Sequence, residues 1–520
     1  MISFVFALLV PVLAGATGFT QQPSQPASGQ ARSAAPQSPA IPVAGAPAAK
    51  KEEDCGCEVN LPADAFATVN GQKIGKKDIE DEIKDQVEQF QHQVPQARQK
   101  ELQFEIDSRI LEREAAKRGI PISKLVDLEV NSKLTKPTEA DAQEFYDKNK
   151  ERLGSEFKDI KEDLLLYLAN ERQRDGAEKF AEQLRPNYQV KVLVQYVTPP
   201  ETAADRMKVL AEVEGRKITS GEVEDNLRAF IYTVQQSIYQ LRKGALDVKI
   251  NDVLLGQEAE RLKTNTKQLL DTQVLGKIKT VTDADAQAFY DKYKDKMPGT
   301  FDALKQKIVS YLHDQELREA ESVYAEQLHK SAKIEVYLKP PVAPVFSIAT
   351  ENRPSKGKQG APVTIVEFTD FQCPSCARTQ PVLEQLLTEY GDKVRLVVRD
   401  FPLDRHQNAF VAAQAAEAAS QQGKFWEYTD VLFKNQTALE PDKLKDYATQ
   451  LGLDRTKFDG ELDSGKFADT VRKDMKDGDK LGVDATPTIF INGRKIEGDK
   501  THDSLKAAID EALARTADKN

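Results

Sequence analysis

The chain has few residues of several types, and each scarcity excludes a class of protein. It has four cysteines in 520 residues, and they form two close pairs, whereas a disulfide-stapled scaffold spreads its cysteines widely. Its five histidines show no clustered ligand spacing, which argues against a metal centre. Acidic side chains outnumber basic ones by 83 to 73, so nothing favours a nucleic-acid partner, which would require a basic face. We therefore expect no metal, no other cofactor and no nucleic acid.

A long apolar run is also missing. The apolar stretch at residues 2–13 is interrupted by Pro11 and is shorter than the ~20 residues that span a bilayer. It is followed by Ala14, Gly15 and Ala16, which fit the small-x-small pattern for cleavage, so residues 1–16 are predicted to be a secretory signal peptide. An uncleaved N-terminal membrane anchor is the competing interpretation. Export would place the protein in the periplasm or another extracytoplasmic compartment, where disulfides form.

The length allows about three domains of ordinary size. Residues 17–60 are rich in Pro, Ala, Ser and Gln and are predicted to be a disordered linker, because such a composition cannot bury a core. The remaining predicted boundaries are a first helical repeat at 61–200, a second at 201–341, a linker at 342–360 and an α/β domain at 361–517.

The middle of the chain repeats itself at an offset of 144 residues. Residues 69–74 (VNGQKI) recur at 213–218 (VEGRKI), and residues 140–148 (ADAQEFYDK) recur at 284–292 (ADAQAFYDK). A register held over so long a stretch indicates a duplication. Apolar residues with helix-face spacing make each unit mainly helical, and each unit ends in an alternating apolar run that is typical of a short strand.

These repeats resemble the N-terminal chaperone segment of the SurA/PrsA class of exported prolyl isomerases. The resemblance rests on the VNGxxI opening, on residues 119–123 (GIPIS) and on the TxADAQxFYDK stretch. No segment is left over for a prolyl isomerase domain, so isomerase activity is not expected. The resemblance implies a helical module that holds unfolded polypeptide. A spacer or a dimerisation arm is the alternative, and the second of these would make the chain a homodimer through its repeats.

The C-terminal region carries the one motif with clear chemistry, a Cys-x-x-Cys at Cys373-Pro374-Ser375-Cys376. Two thiols at this spacing can close and open a small disulfide ring. The motif follows a β-rich run at residues 363–368 and begins a helical pattern. Further predicted elements are a strand at 394–398, helices at 408–422, 425–434 and 442–451, a hairpin with an Asn-Gly turn at 488–496, and a last helix at 501–514.

This order of elements resembles the DsbA-like branch of the thioredoxin superfamily. Four motifs carry the resemblance over about 170 residues, at positions 367–376 (EFTDFQCPSC), 399–403 (RDFPL), 423–427 (GKFWE) and 482–488 (GVDATPT). The predicted fold class is therefore multidomain, with two mainly helical SurA-like repeats followed by an α/β thioredoxin fold with a helical insertion. The resemblance implies a protein disulfide oxidoreductase whose active site is the CPSC sequence.

The two cysteines of that motif are expected to differ. Cys373 would lie at a helix N-cap as an exposed nucleophile, where N–H groups and the helix dipole lower its pKa toward ~3.5–7. Cys376, one turn deeper, would be the resolving thiol, and Pro374 and Ser375 would tune the ring. The strongest oxidants of the family have a histidine at the position of Ser375, so a serine implies a less stabilised thiolate and a less oxidising disulfide.

Other residues are assigned through the resemblance. Thr486 and Pro487 match the family's cis-proline pair, whose backbone would bind a substrate strand, and an ordinary loop proline is the alternative. Glu367 matches an acid that serves as a proton relay for the deeper thiol, and burial would raise its pKa; a solvated edge glutamate is the alternative. Cys55 and Cys57 could form a strained disulfide that relays electrons to the motif, or a passive local or intermolecular link.

Together these patterns predict an exported enzyme that oxidises or isomerises disulfides in secreted proteins. Its helical region would hold the unfolded or partly folded clients, and a membrane or soluble redox partner would reset the disulfide. The alternative is a non-catalytic chaperone or scaffold that uses the thioredoxin fold for binding. The sequence leaves open the direction of the reaction, the clients and the resetting partner.

Overall fold

The structure is a computed structural model that describes residues 64–294, 297 and 299–517. The predicted signal peptide, the linker at 17–60 and the Cys55–Cys57 pair lie outside the described residues. The described chain forms two compact units. The larger consists of residues 100–226 and 345–517, and the smaller of the described residues up to Gln99 together with residues 227–344.

The secondary structure is mainly helical up to residue 341 and mixed thereafter. The strands are β1 (Ala65–Val69), β2 (Gln72–Gly75), β3 (Val190–Val192), β4 (Val209–Val213), β5 (Arg216–Thr219), β6 (Ile334–Val336), β7 (Ser355–Gly357), β8 (Val363–Thr369), β9 (Val394–Asp400), β10 (Thr488–Ile491) and β11 (Arg494–Lys495). The helices before residue 341 are α1 (Lys76–Gln91), α2 (Gln93–Arg118), α3 (Ile122–Glu129), α4 (Glu139–Leu153), α5 (Phe157–Leu184), α6 (Ala203–Arg206), α7 (Ser220–Arg261), α8 (Thr266–Gln273), α9 (Asp283–Tyr293) and α10 (Phe301–Ser331). The later helices are α11 (Pro374–Tyr390), α12 (Ala409–Ser420), α13 (Phe425–Lys434), α14 (Pro441–Gln450), α15 (Arg455–Asp463), α16 (Ala468–Lys480) and α17 (His502–Ala517).

Each unit contains a small antiparallel sheet built from both halves of the duplication. In the smaller unit the order is β2-β1-β6, so that the last strand of the second repeat pairs with the first strand of the first repeat. In the larger unit the order is β3-β4-β5, and the last strand of the first repeat pairs with the first strand of the second. Strand pairing therefore crosses the boundary predicted at residue 200, and the repeat boundaries remain a prediction about the sequence.

The two copies of the duplication make matching contacts. Tyr146 donates a hydrogen bond to the carbonyl of Ser155 at 2.8 Å, and Tyr290 donates one to the carbonyl of Gly299, also at 2.8 Å. The hairpin turns match too, with left-handed φ at the Asn-Gly or Glu-Gly pair of each copy. These equivalent contacts show that both copies fold alike, as a duplication predicts.

The copies differ in the middle of the long helix. The first copy has α1 and α2, which meet at His92, whereas the second has the single 42-residue α7. Pro95 lies in the first turn of α2, where it lacks an N–H and its ring would clash with the carbonyl four residues earlier, at Gln91. Tyr239 occupies the corresponding position in α7 and can donate the helical hydrogen bond. The break in the first copy thus follows from one proline.

The C-terminal region has a five-stranded sheet in the order β11-β10-β8-β9-β7, in which only the central pair β8–β9 is parallel. Six of the seven residues in each of these two strands are buried, as is typical of strands that are covered on both faces. The strand–helix–strand, hairpin and final helix confirm the predicted α/β architecture. The insertion between β9 and β10 has five helices, whereas three were predicted. The sequence did not reveal α15 and α16, because they are rich in charged residues and have few apolar positions.

The segment at 342–360, predicted to be a linker, contributes to this sheet. Its strand β7 pairs with β9, and the N–H of Phe346 donates to the carbonyl of Gly493 at 2.8 Å. A Cβ atom at Gly493 would lie 2.1 Å from the carbonyl oxygen of Phe346, and its φ is +78°, so only glycine fits this approach. Arg353 forms an ion pair with the buried Asp474 at 2.5 Å.

Candidate active site

The site lies where β8 gives way to α11, and a buried aspartate shapes the turn between them. Asp370 accepts hydrogen bonds from the backbone N–H groups of Gln372 at 2.7 Å and Leu403 at 2.8 Å. His406 contacts the same carboxylate through Nδ1 at 2.7 Å. Burial raises the pKa of Asp370, and these donors oppose that rise. The hydrogen bonds of Asp370 thus hold the turn between β8 and α11 in place.

Cys373 is the N-cap of α11, as predicted, but it is not exposed. Only 4% of its surface is accessible, because the loop that contains Thr486 lies against it. The Sγ–H of Cys373 contacts the carbonyl oxygen of Thr486 at 3.3 Å. The expectation of an exposed nucleophile was therefore wrong: the sulfur lies beneath the loop at which a substrate strand would have to dock.

The pKa of Cys373 is lowered to about 4. The largest cause is a hydrogen bond from the Cys376 thiol, and the Thr486 side chain and the N–H groups of Cys376 and Ser375 act in the same direction, against burial. The N-cap position thus supplies donors to a negative sulfur, as the sequence predicts.

Cys376 shows the opposite behaviour. It is fully buried, and burial is the main reason that its pKa is raised. The hydrogen bond to Cys373 and the charge of Glu367 raise it further. Because the two sulfurs share one hydrogen bond, only the outer one ionises at neutral pH. This asymmetry is what a nucleophile and a resolving thiol require.

Glu367 lies on β8 with no accessible surface, which excludes the solvated-edge interpretation. Burial raises its pKa to about 7. The side-chain amide of Gln380 donates to both carboxylate oxygens at 3.0 Å, which limits the rise. A carboxyl group with this pKa can gain or lose a proton near neutrality, and its charge is felt at Cys376.

The Thr486–Pro487 peptide bond is cis, as predicted. Thr486 is buried, and β10 begins two residues later with Thr488, which pairs with Phe368 of β8. The sheet therefore delivers the loop to the N-terminal end of α11.

The two residues between the cysteines lie at the surface of the site. Pro374 is exposed in the first turn of α11, where its missing N–H leaves no partner unsatisfied. Ser375 is half-buried, and its hydroxyl accepts a hydrogen bond from Arg378 at 2.9 Å. Sequence reasoning did not identify Arg378, which places a positive charge next to Ser375.

Sequence reasoning also missed Gln436, in the loop between α13 and α14. Its side-chain amide donates to the carbonyl oxygens of Phe371 at 3.0 Å and Cys373 at 2.8 Å. The contact joins residues more than 60 positions apart, so no local spacing could have revealed it. Gln372, between those two carbonyls, accepts a hydrogen bond from the N–H of Asn408 at 2.9 Å.

The RDFPL motif serves a buried ion network at the ends of β8 and β9. Arg399 contacts Asp474 at 2.8 Å and Asp477 at 2.7 Å, and both Arg399 and Asp474 are almost inaccessible. These pairs are structural, because none of them reaches the sulfurs. Within the ranges that the structure describes, no group of three or more His, Cys, Asp or Glu side chains is arranged to hold a metal ion.

Comparison with known families supports this description. Residues 349–511 match the thioredoxin family model. This part of the chain is a thioredoxin domain, and the N-terminal region that precedes it is mainly helical.

Several solved structures resemble the chain over about a third of its length. BdbD from Bacillus subtilis is 28% identical, covers 33% of this chain and 98% of its own, and gives a TM-score of 0.31. A thioredoxin-like oxidoreductase from Silicibacter pomeroyi is 28% identical over 32% of this chain and 94% of its own, with a TM-score of 0.28. Alpha-DsbA1 from Wolbachia pipientis is 22% identical over 33% of this chain and 96% of its own, with a TM-score of 0.30.

The curated relatives are larger proteins of another kind. The Na(+)/H(+) antiporter NhaA 1 of Salinispora arenicola is 42% identical over 162 residues, which are 31% of this chain and 25% of the antiporter. The antiporter NhaA of Herminiimonas arsenicoxydans is 38% identical over 169 residues, which are 32% of this chain and 26% of the antiporter. The chain thus spans about a quarter of the length of these relatives. Among the described residues, no helix combines the length and the apolar character of a membrane span.

Proposed function

We propose that this chain is an exported thiol–disulfide oxidoreductase. The observation that carries the proposal is that the two neighbouring thiols at the start of α11 have pKa values shifted in opposite directions. Cys373 has its pKa lowered to about 4, whereas the pKa of the buried Cys376 is raised. A thiolate that is stable at neutral pH is the reactive form in disulfide exchange, and a protonated partner beneath it is poised to close the ring.

The first step starts from the Cys373–Cys376 disulfide. A client thiolate attacks Sγ of Cys373, a client–Cys373 disulfide forms, and the bond to Cys376 breaks. The electron pair goes to the sulfur of Cys376, which takes a proton because burial makes its thiolate unfavourable. Glu367, whose pKa is about 7, supplies that proton.

A second client thiolate then attacks the client sulfur of the mixed disulfide. Cys373 leaves as a thiolate, which its N-cap donors stabilise, and the client keeps the new disulfide. The client is oxidised by two electrons and the enzyme is reduced to the dithiol. The same mixed disulfide can also lead to isomerisation, in which the client exchanges one disulfide for another and neither the client nor the enzyme is oxidised or reduced overall. The direction depends on the redox potential and on the membrane or soluble partner that resets the dithiol.

Client binding at the sulfur is assigned to Thr486 and Pro487. The Thr486 carbonyl contacts Cys373, and its loop covers the sulfur. A client strand that pairs with the Thr486 backbone would place its own sulfur in line with Cys373. Pro374 and Ser375 are assigned to tune the ring between the cysteines, and Arg378, which donates a hydrogen bond to Ser375, adds a positive charge beside them.

The helical region is proposed to hold unfolded clients. A groove of about 760 Å³ in the second repeat is lined by Leu275, Ile278 and Val309, with Lys279 and Lys305 among its polar residues. Leu275 itself is 49% exposed. Apolar surface of this kind, bordered by polar side chains, is typical of a site that binds polypeptide. A spacer, or a dimerisation arm that makes the chain a homodimer, remains the alternative.

The proposed location is the periplasm or another extracytoplasmic compartment. It rests on the apolar stretch at residues 2–13 and on the need of a disulfide catalyst for an oxidising compartment. The roles proposed for Cys55 and Cys57, as a redox relay or as a passive link, concern the same compartment.

The test of the proposed function is a comparison of the intact chain with Cys373→Ala. Reduction of insulin and refolding of reduced ribonuclease should fall to the uncatalysed background in the variant, because the remaining sulfur of the motif, at Cys376, is fully buried and its thiolate is unfavourable. Suppression of client aggregation should be unchanged. Equal catalysis by both proteins would favour the rival interpretation, a chaperone or scaffold whose thioredoxin fold only binds.

A further inference from the structure

Gln436 reaches into the active site from outside the thioredoxin motifs. It follows α13 in the loop that leads to α14, and its side chain is half-buried. Its amide nitrogen carries two N–H groups and lies 3.0 Å from the carbonyl oxygen of Phe371 and 2.8 Å from that of Cys373. Both donors are therefore used on main-chain acceptors that flank Gln372.

One of these acceptors belongs to the nucleophile itself. The carbonyl of Cys373 also accepts the first hydrogen bond of α11, from the N–H of Ala377 at 3.2 Å. Gln436 thus holds the N-cap residue at the point where the helix begins. The orientation of this peptide decides whether the N–H groups of Ser375 and Cys376 face the sulfur, and these groups are among the donors that stabilise its anion.

The other acceptor is the carbonyl oxygen of Phe371, two residues before the nucleophile. Phe371 is held through its side chain, whose ring lies 5.3 Å from that of Phe433 on α13. That contact fixes the ring, and the N–H of the Phe371–Gln372 peptide donates to Asp370 at 2.7 Å. The hydrogen bond from Gln436 to the Phe371 carbonyl fixes the peptide as well, so packing and hydrogen bonding act on different parts of the same turn.

We propose that Gln436 is a positioning residue for thiol–disulfide exchange, which holds the main chain of the nucleophile turn in place through its two N–H donors. This inference rests on the proposed function of the Cys373 site. It gives the helical insertion a part in the chemistry, since α13 and its loop fix the turn that presents the sulfur.

The chemistry requires a neutral donor at this position. A methionine has a similar volume but no N–H, so Gln436→Met would leave the Phe371 carbonyl without its partner. A glutamate has the same shape but can only accept, so Gln436→Glu would place a negative charge against two carbonyl oxygens and near the thiolate. Glutamate should therefore perturb the thiolate more than methionine does.

Asn435 provides the matched control. It precedes Gln436 in the same loop, and its amide donates to the carbonyl of Val431 at 2.8 Å, away from the cysteines. Asn435→Ala removes a side-chain-to-backbone hydrogen bond of the same class and loosens the same loop. It should leave the nucleophile turn unchanged.

The experiment titrates Cys373 in the reduced full chain by the ultraviolet absorbance of its thiolate. It also measures the rate of reaction with a small aromatic disulfide at about pH 5. Gln436→Met should raise the pKa of Cys373 by about one unit, slow the reaction about twofold because the thiolate fraction at this pH falls by that factor, and move the thermal midpoint no further than Asn435→Ala does. Gln436→Glu should raise the pKa further.

Two results would overturn the proposal. One is a Gln436→Met variant that titrates and reacts like the intact chain. The other is an equal shift in Asn435→Ala, which would mean that any loosening of the loop has the same effect. The small disulfide needs no client site, so the result stands apart from insulin reduction: an intact chain that fails on insulin would count against the proposed function, not against the role of Gln436.

Discussion

The helical region and the thioredoxin domain treat their apolar and ionisable side chains differently. In the part of the chain that the structure describes, large exposed apolar side chains occur between residues 128 and 345, such as Met207 at 74% and Leu275 at 49%, and none occurs later. The thioredoxin domain instead buries both its apolar side chains and the acid beneath its sulfurs. Adaptable apolar surface suits the holding of varied clients, whereas exchange requires donors fixed around one atom.

Burial of an acid does not by itself make a site, and the helical region shows why. Burial raises the pKa of Glu101 to about 7, the same value as for Glu367. Glu101, however, meets the amide of Asn226 at 2.7 Å and the neighbouring Glu105, with no nucleophile among its partners. What distinguishes Glu367 is a sulfur whose own pKa responds to its charge.

The largest effect is expected from Glu367→Gln. When Cys376 attacks a mixed disulfide, it must lose its proton, and only the ionised Glu367 can accept it. The rate of this step should rise with pH through about 7 in the intact chain. In the variant that rise should vanish, and the rate above it should fall about 10²-fold. Single-turnover decay of a mixed disulfide between Cys373 and a short peptide measures the step.

The matched control is Glu384→Gln, which changes an exposed glutamate on the same helix as the cysteines. It should keep the full pH dependence. If the rate of decay still shows an inflection near pH 7 in Glu367→Gln, another group causes that inflection. Glu367 would then be a buried acid without a role in the exchange, like Glu101.

The same substitution has a signature in stability. The pKa of Glu367 is raised on folding from 4.5 to about 7, so the folded state disfavours its ionised form. The stability that this group contributes is therefore fully present below about 4.5 and is lost as pH rises through about 7. The loss amounts to about 3 kcal/mol at high pH. Urea unfolding of the reduced protein at several pH values should show a decline that is about 3 kcal/mol smaller in Glu367→Gln than in the intact chain, because other buried acids such as Glu101 titrate in both proteins.

A smaller effect is expected from Leu275→Glu in the groove of the second repeat. Leu275 is 49% exposed, so a client that covers it contributes about 1 kcal/mol, roughly half the value of full burial, and loss of this contact should weaken suppression of client aggregation about fivefold. Exchange with a small disulfide should be unaffected. Val342→Glu is the control, since Val342 is 83% exposed and does not line the groove. Light scattering of a denatured client measures the effect; equal losses in both variants, or none, would favour the spacer interpretation.

The sequence predicted the central strands, the hairpin and the last helix of the thioredoxin domain, because their signals are local, but it missed β7 and two helices of the insertion. The Asn492-Gly493 turn has left-handed φ values of 47° and 78°, as the hairpin requires. The Cys373 N-cap and the burial of Glu367 follow from a β-rich run that ends in a Cys-x-x-Cys motif. The match to the thioredoxin family over residues 349–511 agrees with these signals.

What the sequence could not supply are contacts between distant segments. The Cys373 sulfur was expected to be exposed, since nothing near it in the sequence reveals that the Thr486 loop covers it. The hydrogen bonds of Gln436 and the pairing of β7 with β9 are non-local in the same way. In the helical region the duplication was visible, but the exchange of strands between its halves was not, because β1 and β4 carry the same pattern and could each pair with either end strand.

The smallest changes in stability are expected from replacing a helical glycine by alanine in each region. A new Cβ would lie 2.7 Å from the Phe401 ring at Gly478 of α16, and 2.7 Å from a methyl group of Val130 at Gly176 of α5. Alanine favours a helix by about 1 kcal/mol over glycine, and overpacking costs about 1–3 kcal/mol. Phe401 lies against the buried Phe368 ring and cannot yield, whereas a single valine can shift.

Gly478→Ala should therefore destabilise the chain by about 2 kcal/mol and Gly176→Ala by less than about 1 kcal/mol. Gly244→Ala is the control, because no atom lies within 4 Å of its Cβ position, and it should stabilise α7 by up to about 1 kcal/mol. Trp426 is the only tryptophan, so its fluorescence follows unfolding of the thioredoxin domain, while circular dichroism follows the helices. A larger loss at Gly176 than at Gly478 would mean that the helical region is packed at least as tightly as the thioredoxin domain, against the adaptable role proposed for the helical region.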